Sequence, residues 1–299
     1  MPELPEVETI RRGLSERIVG KKIVSLAFDW AKSFQGDKAK VESYKVEYVE
    51  RRAKTIQIHL SSGYNLLFHL KMTGQLIWRL ETTRNKKQET NELENQNDSF
   101  AGGHPDHDWH AELPNKHTRI VFNFDDGSRL FFNDLRKFGW CKVISGPELE
   151  KIYQDKYGIE PFSAEFDVNY LAKFAKRYPN RTIKQFLLDQ TIIAGIGNIY
   201  ADESLFLTKI SPLRKVKDIK TSEWPVIIKS IIETLNMAIK HGGTTDSDYV
   251  NADGEKGGMQ DYLKVYRKTG QKCFNDCGGI IKRETVGGRG THYCLTCQK

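Results

Sequence analysis

The chain has 299 residues, 38% of them hydrophobic and 28% charged, and Lys+Arg 46 against Asp+Glu 39 leaves a net charge of +7. At roughly 100–200 residues per domain, that length suits two domains and a small appendage. No apolar run approaches the roughly 18–20 residues that cross a bilayer. The opening Met-Pro-Glu-Leu-Pro-Glu-Val-Glu is acidic where a signal peptide would be basic. A cytoplasmic protein with no membrane partner is therefore expected, and the basic excess hints at a polyanion without identifying one.

Pro5 to Ile18 reads as a helix, with Pro and Glu in its first turn, arginines later and Gly20 to stop it. From Lys21 the hydrophobic period shifts to two. Short strands are expected over residues 22–28, 55–60 and 65–70, and Thr118–Phe124, Asp125-Asp-Gly, Ser128–Phe132 forms a hairpin. Residues 1–146 thus form an N-terminal helix with a β-sandwich, closed by Gly146-Pro147. Helical spacing then dominates residues 168–177, 181–188, 200–207 and 222–241, which Gly242-Gly243 ends. A Gly- and Asp-rich loop runs to Gln260, and a cysteine-bearing tail follows. The fold class is α+β multidomain: 1–146, 147–262 with a loop at 244–260, and 263–299.

The charge is unevenly placed. Glu81 to Glu112 carries eight acids against three bases, a net of −5, and leaves +12 for the rest. This stretch is almost free of aliphatic residues, so residues 81–115 read as a disordered or mobile insert. It ends in His104, His107 and His110 with Asp106 and Asp108. Those types allow a metal site, but the Gly-Gly-His-Pro setting favours solvated loop residues. The last 38 residues carry eight bases and two acids.

Within that tail, Cys273-x3-Cys277 and Cys294-x2-Cys297 are two close pairs separated by a hairpin-sized spacer. This is the pattern of a closed four-thiolate site for one structural Zn2+. Cys141 is expected in the core.

Removal of Met1 would expose Pro2 as a secondary amine. An α-amino group titrates near 8, so an appreciable fraction is neutral and nucleophilic at pH 7. Pro at this position is common without any such role, and Glu3 and Glu6 can equally be plain helix N-terminal acids.

Those residues do not stand alone. Pro2-Glu-Leu-Pro-Glu-Val-Glu-Thr, Arg52-Ala-Lys54, His69-Leu-Lys-Met-Thr-Gly, Asn133-Asp-Leu-Arg-Lys-Phe-Gly, Gly195-Ile-Gly-Asn-Ile-Tyr-Ala-Asp-Glu-Ser and the cysteine tail occur in one order. The set resembles the bacterial formamidopyrimidine-DNA glycosylase family over nearly the whole chain apart from the insert. The resemblance implies a helix–two-turn–helix domain after the sandwich, a zinc hairpin, and DNA in the cleft between the domains. It implies a monomeric glycosylase/AP lyase that removes 8-oxoguanine and formamidopyrimidines from double-stranded DNA. Catalytic roles fall to Pro2 as nucleophile, Glu3 as acid/base and Lys54 as phosphate clamp, though Lys54 read alone is an exposed strand lysine. Met72, Arg136 and Phe138 would fill the void left by an everted base, although Met72 and Phe138 alone would be ordinary core residues. Asn198 and Arg289 would hold phosphates, and Tyr249 lies in the loop expected to close over the purine. Two other readings remain open here: an endonuclease VIII-type enzyme for oxidised pyrimidines, and a non-catalytic DNA-binding zinc protein. The x3 spacing of the first cysteine pair departs from the family's usual x2.

Overall fold

Helix α1 (Leu4–Ile18) places Leu4, Val7, Ile10, Leu14 and Ile18 on one buried face. Proline at its second position is pre-set for the helical φ, and a capping box formed by Glu3 and Glu6 closes its first turn. The computed structural model describes residues 1–80, 99–103, 113–244 and 257–299.

Ten strands follow α1: β1 (Ile23–Phe28), β2 (Phe34–Gln35), β3 (Val46–Arg52), β4 (Thr55–Leu60), β5 (Tyr64–His69), β6 (Gly74–Leu80), β7 (Ser99–Gly103), β8 (Thr118–Phe124), β9 (Ser128–Asp134) and β10 (Trp140–Ser145). They form two five-stranded sheets, ordered β1-β8-β9-β6-β7 and β2-β10-β5-β4-β3. One apolar core unites both sheets with α1, through Val7, Ile10, Leu14, Phe68, Phe122, Phe132 and Cys141 among others. The β-sandwich is thus present, and Cys141 is buried within it.

The insert requires a correction. Residues 99–103, inside the stretch read as a disordered loop, form the edge strand β7 and pair with β6 from Arg79↔Ser99 to Gln75↔Gly103. The reason is size: a Cβ on Gly102 would lie 2.6 Å from Ile10 Cγ1, so the glycine lets the strand reach the helix. Residues 81–98 and 104–112, with the histidine cluster, lie outside the described residues.

The remaining helices are α2 (Gly146–Lys156), α3 (Val168–Arg177), α4 (Ile183–Leu188), α5 (Asn198–Leu207) and α6 (Trp224–Lys240), and β11 (Ile281–Val286) pairs with β12 (Arg289–Cys294). Their starts depend on caps that periodicity does not register. Thr182 caps α4 in a box with Gln185, Gly197 precedes α5, and Pro225 sits at the head of α6. Between α4 and α5, Gln190 fastens the double turn. Its Nε2 donates to the Ile196 carbonyl at 2.7 Å, and its Oε1 accepts from Gly195 N–H at 2.9 Å.

Two compact units result: Met1–Glu150 with Gly242–Gly258, and Lys151–His241 with Met259–Lys299. Among the described residues no helix is long and apolar enough to cross a membrane. Gly102→Ala should destabilise the first unit by about 1–3 kcal/mol, because the added methyl overpacks against Ile10. A lowered urea midpoint at unchanged slope would register it; an unchanged midpoint would refute the contact.

Candidate functional site

Pro2 is buried immediately ahead of α1. Glu3 and Glu6 are also buried, and Glu6 is shared by two segments far apart in sequence. Glu6 Oε2 accepts from Glu3 N–H and Oε1 from Thr244 N–H, both at 2.8 Å. Gly243 (φ +83°) makes this approach possible, since a Cβ there would come within 2.9 Å of the Glu6 carboxylate. The sequence signal for Glu6 is the Glu-x-x-Glu spacing, which by itself reads as helix-end acids.

Lys54 is not an exposed strand lysine. It is 6% exposed, in the two-residue connection between β3 and β4, where Ala53 takes φ +53°. Arg51 braces that turn: Nη1 donates to the Ala53 carbonyl at 3.1 Å and Nε lies 3.3 Å from Glu8 of α1. Burial pushes the Glu8 carboxyl up, but hydrogen bonds from Arg11 and Arg12 and the charge of Arg51 more than offset this and hold it below its ordinary value.

His69, at the end of β5, has its pKa pushed down to about 3 by burial, then by Lys71 and Lys54. The neutral ring accepts the Lys71 N–H on Nδ1 at 3.0 Å and so shapes the turn that follows. Met72 stands at that turn, 43% exposed. Phe138 is 55% exposed in the loop between β9 and β10, with the Arg136 guanidinium 4.9 Å from its ring centre. Met72 and Phe138 are therefore surface apolar residues and not core. The two loops leave neighbouring strands at one end, because Gly74 of β6 pairs with Asp134 of β9.

In the second unit, Asn198 is the first residue of α5, and its Nδ2 donates to the Gly290 carbonyl at 2.9 Å. Lys184 Nζ donates to the same carbonyl at 3.2 Å and lies 2.6 Å from Asp202, both side chains fully buried. Asp202 Oδ2 accepts His292 N–H at 2.9 Å. Arg289 follows the turn Gly287-Gly288, both at positive φ, and is exposed. Lys184, Asp202 and His292 carry no sequence signal, since a buried ion pair between α4 and α5 that also accepts an N–H from the hairpin leaves no local pattern.

The four cysteine sulfurs lie within 4.8 Å of one another. Cys273 and Cys297 Sγ are 3.6 Å apart, Cys277 and Cys294 Sγ 3.5 Å. A tetrahedral Zn2+ with bonds of about 2.3 Å sets its sulfurs about 3.8 Å apart, so the donor set fits one structural zinc. The extra residue of the x3 spacing is absorbed by Asp276 at φ +47°, a conformation that aspartate tolerates. Asn275 Nδ2 also donates to Cys297 Sγ at 3.4 Å. Tyr249 lies outside the described residues.

Two expectations follow from these surroundings. His69 is neutral in the fold, with its pKa far below the ordinary 6.5, so the unfolded chain takes up that proton first. Stability should fall as pH drops from about 6.5 toward 3, and His69→Asn should flatten that limb of the melting profile; an unaltered profile would contradict it. Chelation should remove one zinc per chain and lower the melting temperature, and a chain lacking zinc but equally stable would contradict the structural role.

Comparison with known proteins agrees with this geometry. The description "Formamidopyrimidine-DNA glycosylase N-terminal domain" matches residues 1–141, the corresponding H2TH domain 157–249, and "Zinc finger found in FPG and IleRS" 270–299. The chain is 38% identical to a Halalkalibacterium halodurans protein and 36% identical to one from Streptococcus pneumoniae, each named formamidopyrimidine-DNA glycosylase. The matches cover 100% of this chain and 100% and 99% of those proteins. Among solved structures, a Lactococcus lactis Fpg variant with Fapy-dG-containing DNA superimposes at a TM-score of 0.82 with 35% identity, over 100% of both chains. The Lactococcus lactis Fpg with abasic-site DNA gives 0.81 at 33% identity, over 99% of both. With a helix-led β-sandwich, a helix–two-turn–helix region and a four-cysteine hairpin in this order, the chain belongs to the formamidopyrimidine-DNA glycosylase family.

Proposed function

We propose that this chain is a bifunctional DNA glycosylase/AP lyase of base excision repair, acting on 8-oxoguanine and formamidopyrimidines in double-stranded DNA. The observation that carries this reading is the burial of Pro2 and Glu3 at the head of α1, in a chain aligned end to end with glycosylases of this name.

Once Met1 is removed, the Pro2 amine attacks C1′ of the damaged nucleotide. The glycosidic bond breaks, the base leaves, and an iminium joins Pro2 to the opened sugar. Glu3 moves protons during ring opening and base departure. The iminium acidifies the C2′ proton, so β-elimination and then δ-elimination cut the strand on both sides of the site. Lys54 holds a phosphate next to the lesion.

The base must leave the stack before its sugar can be attacked. Met72 and Phe138 enter the vacated space and Arg136 bonds the orphaned partner base. Their exposure on two neighbouring loops supports this assignment. Asn198 and Arg289 meet backbone phosphates, and the loop from Thr244 to Gln260, with Tyr249, closes over the purine. Cys273, Cys277, Cys294 and Cys297 hold the zinc that keeps Arg289 on a folded hairpin. The working domains are 1–146, 147–262 and 263–299, in a cytoplasmic monomer that meets chromosomal DNA.

Two duplexes decide the substrate, one with a single 8-oxoguanine and one with an oxidised pyrimidine. Faster incision of the purine duplex is expected. The reverse order would make the chain an endonuclease VIII-type enzyme, and binding without incision of either would make it a non-catalytic binder. Glu3→Gln should slow base excision by about 10²-fold or more. Arg289→Ala should weaken binding to damaged and undamaged DNA alike and reduce the salt slope by about 1. An unchanged slope would remove Arg289 from the phosphate contacts.

A further inference from the structure

Asp134, the last residue of β9, is 1% exposed, and its carboxylate takes donors from both tip loops. Oδ1 accepts the Thr73 hydroxyl at 2.5 Å and the Arg136 N–H at 3.2 Å, and Oδ2 accepts the Gly139 N–H at 2.6 Å. Thr73 Oγ1 in turn accepts the same Arg136 N–H at 3.1 Å. The Met72 turn is thereby bonded to the Arg136–Phe138 loop through one carboxylate. Asp134 is itself fixed, because Arg119 Nε, from a side chain only 4% exposed, donates to its carbonyl at 3.0 Å. Gly139 is required beside it, since a Cβ there would lie 2.7 Å from Phe132 and 3.1 Å from Asp134 Oδ2.

From this geometry we infer that Asp134, acting with Thr73, is a positioning residue that locks the two loops into one preformed wedge. The inference rests on the assignment of Met72, Arg136 and Phe138 under the proposed function. Charge-assisted bonds to a buried carboxylate are strong, and removing a donor leaves a costly orphan, so neither loop readily leaves the other. Met72 and Phe138 would otherwise fold down onto the sandwich to escape water. Held outward together, they enter the stack in one step, and the ordering cost of two independent loops is avoided. Asp134 touches no substrate in this scheme. It fixes the spacing of the groups that do.

Thr73→Val, Thr73→Ser and Asp134→Asn test this in single-turnover assays on two substrates. One is an 8-oxoguanine duplex, whose base must be everted, and the other a duplex with a preformed abasic site, which has no base to evert. Thr73→Val and Asp134→Asn should slow excision about 10-fold or more, the loss of one buried hydrogen bond, and change abasic-site cleavage less than about 3-fold. Thr73→Ser keeps the hydroxyl and should restore excision. Thr73→Val combined with Phe138→Ala should cost no more than the worse single change, because the two act as a unit.

Proportionate losses on both substrates, no loss in Thr73→Val, failure of serine to rescue, or additive costs would each overturn the lock. If Phe138→Ala and Met72→Ala slow excision while Thr73→Val does not, the lock alone fails. If Phe138→Ala and Met72→Ala are themselves silent, the wedge assignment fails and the lock with it.

Discussion

One carboxylate, that of Glu6, determines where the chain's first residues lie. It binds the N–H of Glu3 at the start of α1 and the N–H of Thr244 from the far end of the same unit. Chain termini usually fray, yet a terminal amine can serve as a nucleophile only if it is held. Here the hold is threefold: the capping box closes the first turn, the apolar face of α1 is buried in the sandwich core, and Glu6 ties that turn to the base of the 244–260 loop. The proposed nucleophile and the segment expected to cover the purine thus share one anchor. Gly243 is part of that constraint, because a side chain there would displace the Glu6 carboxylate.

The same device recurs. Asp134 gathers N–H groups from the loop that follows it and the hydroxyl of the neighbouring turn. Glu203 accepts three consecutive N–H groups, from Lys264, Val265 and Tyr266, where the chain approaches the zinc hairpin. Asp202 joins Lys184 to His292, and through Lys184 and Asn198 the Gly290 carbonyl beside Arg289 is held twice. Each is a buried acid that accepts at least one donor from a segment remote in sequence, so removing any one leaves buried donors without a partner. Connections outside the helices and strands are in this way tied to distant parts of their own unit by side-chain hydrogen bonds.

Much of this was legible in the sequence for physical reasons. Helix α1 follows from Pro and Glu in its first turn, arginines later and Gly20 at its stop, α3 from helical spacing, the β8–β9 hairpin from Asp-Asp-Gly between alternating strands, and the zinc site from ligand spacing alone. Helix α2 is hidden because Gly146-Pro147 reads as a stop, whereas proline at a helix's second position starts one. Strand β7 is hidden inside a polar stretch, since its glycines matter only against neighbours in the fold, Gly102 against Ile10 and Gly103 against Gly74 and Gln75. The buried acids were visible as residues but not as hubs. Their partners come from across the fold, and no local pattern encodes that.

Borohydride trapping followed by peptide mapping decides whether covalent chemistry occurs at Pro2. The intact chain, with Met1 removed, would be incubated with an 8-oxoguanine duplex and reduced during turnover. Attack by Pro2 gives a stable protein–DNA adduct whose modified peptide begins at Pro2. A preparation that binds the duplex yet yields no adduct, or one mapped to Lys54 or another lysine, would contradict it.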